Sequence, residues 1–330
     1  MATIQEVAKE AGVSVATVSR VINESPKVSP KTRDAVLAAI KKLNYEPNLL
    51  GRNLRLMQTR MVLVLLPTIS NPFYAPIVKG IEDIAHKNGF NVMLCNTNSD
   101  VARERVYIDL LKNRLADGVI FFAPTIEDDK LSEIAATFPV VQCCEYKKEA
   151  RASHVAINNE AAAYTAVRHL ISIGHRKIGL ISCKNSFIST AEREEGFKRA
   201  LIEQNIIVDP TMIKYGNYGF SSGLRAMKHY LSSDNIPTAV FCISDSMAIG
   251  AIKAIREKGL RVPSDIAVVG FDDITFAHMF SPSLTTIAQP KYDLGCVSME
   301  LLLKQMSGEF DNPQSIYLKH ELIVRESTLR

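Results

Sequence analysis

The spacing of hydrophobic residues changes near residue 60. Before that point, apolar residues recur every three or four positions, as on one face of an α-helix. After it, short runs of consecutive apolar residues alternate with further helical patterns. The change predicts a small helical module followed by a larger α/β body.

The amino-terminal pattern predicts three short helices. Thr3 and Glu6 have the spacing of a capping box at the start of the first helix. A glycine ends that helix, and a second helix begins at Ser14. Ser29 and Pro30 form an N-cap and first-turn pair for the third helix. Two short helices joined by a glycine turn are typical of a helix-turn-helix module.

The second helix has one face that a three-helix core does not use. Val18 and Val21 lie on the core side, whereas Ala16, Ser19 and Arg20 point the other way. Small residues permit close approach to a DNA major groove, and an arginine can donate two hydrogen bonds to a guanine. The same pattern fits a protein-interaction module in which Arg20 is solvated. Periodicity alone does not separate these two functions.

In the body, apolar runs of strand character alternate with helical patterns. The runs are MVLVLL, FNVMLCN, DGVIFFAP, FPVVQCC, RKIGLISC, TAVFCIS and IAVVGFD. Such alternation predicts parallel sheets covered by helices on both faces. Arg60 and Gly80 bracket a strand, a loop and a helix, and Arg176 and Gly196 do the same at equal separation. The repeat indicates two similar lobes.

Composition and charge limit the kinds of protein that this chain can be. The chain has 330 residues, 47% of them hydrophobic and 22% charged, as in globular proteins of two or three domains. Residues 1–60 contain ten Lys/Arg against five Asp/Glu, so the positive excess of the chain lies in its helical module. A basic module on a near-neutral body indicates a polyanionic partner for that module.

The sequence lacks the motifs of common enzymes and metal sites. GxGxxG after an early strand, GxxxxGK[ST] and HExxH are all missing. The six cysteines show no CxxC spacing, so we expect buried free thiols. No apolar run approaches the ~20 residues of a membrane span, and no signal-peptide pattern opens the chain. These features predict a cytoplasmic protein that is not an enzyme and needs no cofactor or metal.

Polar and aromatic residues follow several apolar runs, where ligands of parallel sheets bind. They are Phe73, Tyr74, Glu145, Ser244, Asp245, Asp272 and Asp273. Carboxylates suit vicinal hydroxyls, and aromatic rings suit the flat face of a sugar or a base. Taken singly, each residue also fits a structural role, as a helix cap for the aspartates or a core residue for Phe73.

The helical module resembles the DNA-binding head of the lactose/galactose repressor (LacI) family. The segments TIQEVAKEAGVSVATVSRVIN and VSPKTRDAVLAAIKKLNYEPN carry the resemblance, which continues across residues 2–54. It implies base contacts from Val15, Ala16 and Arg20. It also implies phosphate contacts from Ser14, Thr17, Ser19 and Asn23, and Thr3 is a further candidate DNA-binding residue.

Residues 48–56, NLLGRNLRL, are too few for a stable isolated helix. In the family that they resemble, this segment folds as a hinge helix when two subunits meet over the minor groove. The residue matching Leu54 then wedges between base steps, and Arg52 and Arg55 flank it with positive charge. Gly51 replaces the alanine of most relatives and makes this helix more dependent on DNA. A linker residue packed on the body is the alternative role for Leu54.

The body carries further motifs in the order typical of the same family. They are SNPFY, RxxGF at Arg193–Phe197, SDSMAIGA, VPSDIAVVGFDD and LTTIAQP. The resemblance implies an effector cleft between two lobes, with contacts from Phe73, Tyr74, Arg193, Tyr218, Ser244, Asp245 and Asp272; Glu145 is a further candidate from the strand pattern. PTAVFCISDSMAIGA, LTTIAQPKY, GRN and CEY are most similar to the cytidine repressor branch, which favours a nucleoside. Phe187 stands where the purine repressor has Arg, which disfavours purine recognition of that kind.

The expected fold is α/β. A three-helix helix-turn-helix headpiece and a hinge helix precede a two-lobed body, similar to periplasmic binding proteins, with doubly wound parallel sheets. The expected boundaries are 1–46 for the headpiece, 47–60 for the hinge and linker, and 61–330 for the effector-binding and dimerisation domain. Within that domain, one lobe would comprise 61–158 with 290–318, and the other 159–289 with 319–330.

The expected function is that of a homodimeric repressor that binds a pseudo-palindromic DNA operator. A small effector, a nucleoside or sugar, would control it allosterically, as inducer or as corepressor. The chain lacks an a/d heptad tail, which favours a dimer over a tetramer. Two alternatives stay open: a family regulator controlled mainly by a partner protein, and a solute-binding receptor without DNA-directed control.

Overall fold

The computed structural model describes residues 2–22, 25–45, 58–310 and 312–329. The chain divides into two compact units, Met1–Thr59 and Arg60–Arg330. Asn23, Arg52 and Leu54, which the sequence assigns to DNA binding, lie outside the described residues. Within the described ranges, no helix has the length and apolar character needed to cross a membrane.

The amino-terminal unit contains the three predicted helices, α1 (Ile4–Glu10), α2 (Val15–Ile22) and α3 (Pro30–Lys42). The capping box is confirmed, since Thr3 Oγ1 accepts from the Glu6 amide and the Thr3 amide donates to the Glu6 carboxylate. Ser29 caps α3 with Pro30 in its first turn, also as predicted. The buried core consists of Val7, Ala8, Val18, Val21, Val36 and Ala39.

Within the described part of the second unit, the strands form two six-stranded sheets. The first sheet comprises β1 (Met61–Leu66), β2 (Asn91–Asn96), β3 (Gly118–Phe121), β4 (Val140–Cys143), β5 (Ser153–Ile157) and β11 (Ser315–Leu318). The second comprises β6 (Ile178–Cys183), β7 (Ile213–Gly216), β8 (Ala239–Cys242), β9 (Ala267–Asp272), β10 (Thr285–Ala288) and β12 (Glu321–Ile323). Their strand orders are β11-β5-β4-β3-β1-β2 and β12-β10-β9-β8-β6-β7. Every pairing is parallel except that of β10 with β12.

Helices connect the strands in both sheets. They are α4 (Tyr74–Lys87), α5 (Val101–Lys112), α6 (Asp128–Ala135), α7 (Asn159–Ser172), α8 (Ile188–Ile202), α9 (Phe220–Leu231), α10 (Asp245–Glu257), α11 (Thr275–Met279) and α12 (Lys291–Ser307). The pairs α4–α12, α7–α8 and α9–α10 pack closely. Glycines permit this approach, since a Cβ at Gly80 or Gly295 would meet the backbone of the facing helix. The predicted α/β fold with two parallel-sheet lobes is therefore confirmed.

The chain passes between the two sheets after β5, β10 and β11 among the described residues. Three separate connections of this kind allow two lobes to move as rigid bodies while their internal packing is kept. The carboxyl ends of the strands in parallel sheets are the usual positions for ligands. The loops that follow β1, β2, β4, β7 and β9 are therefore the candidate ligand-binding loops.

Candidate functional site

The outer face of α2 presents the residues for which sequence predicts DNA contacts. Val15, Ala16 and Arg20 are exposed, whereas Val18 and Val21 are buried against α1 and α3. Val18 and Val21 share the buried face because residues three apart in a helix lie on the same side. The arginine thus extends from a helix anchored by its other side, as direct reading of a major groove requires.

Hydroxyl groups cluster at the start of α2. The Ser14 and Thr17 hydroxyl oxygens lie 2.9 Å apart, and the Thr17 amide donates to Ser14 Oγ at 3.2 Å. Both residues lie at the positive end of the helix, where phosphate contacts are favourable. Ser19 is partly exposed on the same helix. Thr3 lies apart from this cluster in sequence and uses its side chain to cap α1.

A cavity of about 380 Å³ lies in the second unit at the carboxyl ends of strands from both sheets. It is lined by six of the eight residues predicted to contact an effector: Phe73, Tyr74, Glu145, Arg193, Tyr218 and Asp272. The other lining residues are Pro67, Thr68, Asn71, Asn98, Ser99, Phe187 and Asn217. Residues from both lobes, far apart in sequence, therefore meet around one volume.

Larger depressions lie elsewhere on the body. One of about 610 Å³ is lined by Arg176, Phe197 and Ile207 among others. Arg176 precedes β6, so this depression lies near the amino end of that strand. Ligands of parallel sheets bind at the opposite, carboxyl end. The smaller cavity is therefore the candidate effector site.

Arg193, on α8, is held firmly by the body of the protein. Its Nε donates to Asn159 Oδ1 at 3.0 Å, and its Nη1 donates to the Ile243 carbonyl oxygen at 2.7 Å. The guanidinium also lies over the Phe271 ring, 3.7 Å from its centroid. Only 5% of the residue is exposed. These contacts fix the position of its positive charge before any ligand arrives.

Asp272 ends β9 in an unusual backbone conformation, with φ of +111°. Its Oδ1 accepts from Gln289 Nε2 at 2.8 Å and lies 3.9 Å from Arg193 Nη1. Lys291 donates to the carbonyl oxygen of Asp272 at 2.5 Å, which steadies this turn. Burial raises the pKa of Asp272 to about 6, although the Arg193 charge and the Gln289 hydrogen bond oppose that rise. The positive φ of Asp272 is a strained backbone conformation, and such strain is typical of functional positions.

Glu145 connects the two lobes. It follows β4 of the first sheet, and its carboxylate accepts from the Ser189 amide at 3.2 Å and from the Ser189 hydroxyl. Ser189 lies in the first turn of α8 in the second lobe. Burial raises the pKa of Glu145 to about 7, against the opposing effects of Ser189 and Arg193. The neighbouring Tyr146 hydroxyl donates to Glu192 Oε1 of α8 at 3.2 Å, which adds a second contact between the lobes.

Aromatic rings form two walls of the cavity. The Tyr74 ring lies 5.2 Å from the Phe122 ring, and Phe187 lies 6.4 Å from Tyr218, centroid to centroid. The Tyr218 hydroxyl lies 2.6 Å from the hydroxyl oxygen of Thr190. Burial raises the pKa of Tyr218 to about 12, so its hydroxyl remains protonated at neutral pH. Neutral rings of this type cover flat apolar ligand faces.

Ser244 and Asp245 do not line the cavity. Ser244 caps α10 and donates from its hydroxyl to the Tyr218 carbonyl oxygen at 3.1 Å. Asp245 is fully buried, where it accepts from the Ile274 amide at 2.8 Å and from the Thr286 hydroxyl at 2.5 Å. Burial, with the nearby Asp272 charge, raises the pKa of Asp245 well above its usual range. Both residues hold the loops behind the cavity.

Sequence reasoning missed several polar residues of the lining. Asn98 and Ser99 have φ of +54° in the turn after β2, and Asn217 lies in the loop after β7. Apolar periodicity gives no signal in such loops, although asparagine in a left-handed turn is a recognisable preference. Among the described residues, no group of three or more His, Cys, Asp or Glu could hold a metal ion.

Comparisons with known proteins agree with this architecture. Residues 3–48 match the family described as "Bacterial regulatory proteins, lacI family", and residues 167–328 match "Periplasmic binding protein-like domain". Catabolite control protein A of Priestia megaterium is 38% identical over 99% of both chains. The HTH-type transcriptional repressor CytR of Escherichia coli K12 is also 38% identical, over 99% of this chain and 96% of its own.

A solved structure extends the similarity to three dimensions. The lac repressor dimer bound to operator and the anti-inducer ONPF matches with a TM-score of 0.90 and 31% identity. The match covers 100% of this chain and 99% of that one. The resemblance predicted from the headpiece and body motifs is confirmed. The chain therefore belongs to the lacI family of bacterial regulatory proteins and is a DNA-binding transcriptional regulator rather than an enzyme.

Proposed function

We propose that this regulator is a cytoplasmic homodimeric repressor whose affinity for a pseudo-palindromic operator depends on a nucleoside or sugar bound between its two lobes. The observation that carries the proposal is the cavity at the carboxyl ends of both sheets. Six residues selected from sequence line it, and they come from five separate segments of the chain. A chain that joins such a cavity to a DNA-binding head couples metabolite concentration to transcription.

On the DNA side, α2 supplies the base contacts. Arg20 donates to a guanine, and Val15 and Ala16 approach the groove closely. Ser14, Thr17 and Ser19 contact phosphates, as does Asn23, while Arg52 and Leu54 act at the minor groove from outside the described residues. Two half-sites about 10 bp apart match a two-fold dimer. The lac repressor structure, a dimer on its operator, supports this arrangement.

On the effector side, Asp272 accepts hydroxyl or amine hydrogens while Tyr74 and Phe187 cover a flat ligand face. Arg193 helps to position Asp272, because its guanidinium is fixed by Asn159 and Ile243 and lies 3.9 Å from the Asp272 carboxylate. Phe73 supports Tyr74, since their ring centroids lie 5.4 Å apart. Tyr218 contributes a neutral hydroxyl.

Control arises from the three connections between the lobes. A ligand in the cavity shifts the balance between two lobe arrangements only by its different affinity for each. The contact between Glu145 and Ser189 belongs to the lobe arrangement of this structure. It joins the end of β4 in one lobe to α8 in the other. Effector and operator then alter each other's binding by the same factor. We assign residues 1–46 to the headpiece, 47–60 to the hinge, and 61–330 to the body.

The test uses the full-length protein. Selection from random duplexes identifies its operator, and fluorescence anisotropy then measures operator affinity with and without each member of a nucleoside and sugar panel. Thermal unfolding of the same mixtures reports binding, since a ligand of the native state raises its stability. We expect one compound both to stabilise the protein and to change operator affinity. Operator binding that no compound alters would instead favour control by a partner protein.

A further inference from the structure

The lining of the effector cavity contains more acidic than basic side chains. Among its lining residues, Glu145 and Asp272 carry carboxyl groups, and Arg193 carries the positive charge. The guanidinium of Arg193 already donates to Asn159 and to the Ile243 carbonyl oxygen. An anionic ligand would therefore meet two acids and a cation that the protein has largely satisfied.

Helix amino termini do not reverse this balance. Helices α4, α8 and α9 begin beside the cavity, and such ends attract anions. The first turn of α8, however, already holds the Glu145 carboxylate through Ser189. At the start of α4, Asn71 Oδ1 accepts from the Phe73 amide at 3.0 Å, and just before α9, Asn217 Oδ1 accepts from the Gly219 amide at 3.3 Å. The position that a ligand phosphate would take at α8 is thus filled from within the protein.

Burial itself disfavours charge in the cavity. It raises the pKa of Glu145 to about 7 and that of Asp272 to about 6, even though Arg193 lowers both. Removal from water penalises the charged form of any buried group. A phosphate placed beside these carboxyl groups would meet the same penalty.

The same cavity retains acceptor capacity for a neutral ligand. Asp272 uses Oδ1 for Gln289, and its Oδ2 has no hydrogen bond to any described residue. Vicinal hydroxyls or an exocyclic amine can donate to that oxygen. Tyr74 and Phe187 offer ring surface beside it.

From this arrangement we infer that the cavity accepts uncharged or cationic hydroxyl- or amine-bearing metabolites and rejects their phosphate esters. The inference rests on the proposed function, because it concerns the same site, and it names the charge class of the effector. Free nucleosides and free sugars fit the site, whereas nucleotides and sugar phosphates do not. The regulator therefore responds to a metabolite before its phosphorylation or after its dephosphorylation.

The test is isothermal titration of the full-length protein with matched pairs: cytidine and cytidine monophosphate, adenosine and adenosine monophosphate, ribose and ribose 5-phosphate, glucose and glucose 6-phosphate. For the pair that binds, we expect the ester to bind about a hundredfold more weakly, as repulsion between like charges in a poorly solvated site requires. Glu145→Gln and Asp272→Asn should each reduce this preference about tenfold. Asp234→Asn makes the same charge change on an exposed loop of the body and should leave the preference unchanged.

The outcomes separate this inference from the proposed function. An ester that binds as tightly as its parent compound and alters operator affinity overturns the inference but leaves metabolite control in place. A preference that persists unchanged in both Glu145→Gln and Asp272→Asn, with native circular dichroism, also overturns it. If no member of any pair binds or affects operator affinity, both the inference and metabolite control fail.

Discussion

Glu145→Gln tests whether the contact between the lobes contains a carboxyl group whose pKa is raised in the folded protein. The substitution keeps a side-chain carbonyl oxygen that accepts from the Ser189 amide, but it removes the ionisable group. Burial raises the pKa of Glu145 from an ordinary 4.5 to about 7. The folded protein therefore keeps a proton on Glu145 that the unfolded chain releases between these two pH values.

The sign of the effect follows from linkage. The folded state binds one more proton than the unfolded chain, and this proton on Glu145 stabilises the folded state. The stabilisation is fully present below pH 4.5 and is lost as the pH rises through 7. One pKa unit corresponds to about 1.4 kcal/mol, so the whole loss in the wild type is about 3 kcal/mol. The Gln variant does not titrate. Relative to the wild type, its free energy of unfolding should rise by about 3 kcal/mol across this range and stay level above it.

The assay is urea denaturation at several pH values between 5 and 8, followed by far-ultraviolet circular dichroism because the chain has no tryptophan. Glu149→Gln, four residues away on an exposed position, is the matched control for the same loss of a carboxyl group. If the difference between Glu145→Gln and the wild type varies by less than about 0.5 kcal/mol over this range, Glu145 is not a buried titrating group.

Four further substitutions test the DNA-binding residues, the effector site and the packing of α7 on α8. Arg20→Ala should cost about 1–3 kcal/mol of operator binding and relax selectivity at one base pair, measured by selection on randomised half-sites; an unchanged base preference would remove Arg20 from direct readout. Leu54→Ala should weaken operator binding far more than random-DNA binding, and equal losses on both would exclude a wedge. Asp272→Ala should abolish the effector response with operator affinity nearly intact, so a preserved response would place the effector elsewhere. Gly196→Ala should lower stability by about 1–3 kcal/mol in urea denaturation, because its Cβ would meet the Glu160 carbonyl oxygen between α7 and α8; an unchanged stability would show that these helices can separate freely.

Sequence predicted the parts of the fold whose signals are local. The capping box at Thr3 and the Ser29–Pro30 start of α3 depend on neighbouring residues, and the structure contains both. Buried strands such as β1 have continuous apolar runs, and its bounds match the predicted ones. The edge strands β7, β11 and β12 were not predicted, because each is partly exposed and has no such run. The buried strands β5 and β10 were not predicted either, because each is short and contains polar residues that interrupt an apolar run.

The candidate site was predictable in its location more than in its details. Strand ends in parallel sheets led to Glu145, Tyr74 and Asp272, which all line the cavity. The same rule selected Asp245, but a strand end has two sides, and Asp245 turns into the protein toward Thr286. The Glu145–Ser189 contact joins two lobes across 44 residues, so no local pattern could reveal it.

Metabolite-dependent operator binding is measured by fluorescence anisotropy of the full-length protein at fixed salt as candidate metabolites are added. We expect a strong preference for one pseudo-palindromic sequence over random duplex, and a change in that affinity on adding a neutral nucleoside or sugar. Equal affinity for the selected and random duplexes, with or without every metabolite tested, would contradict this expectation.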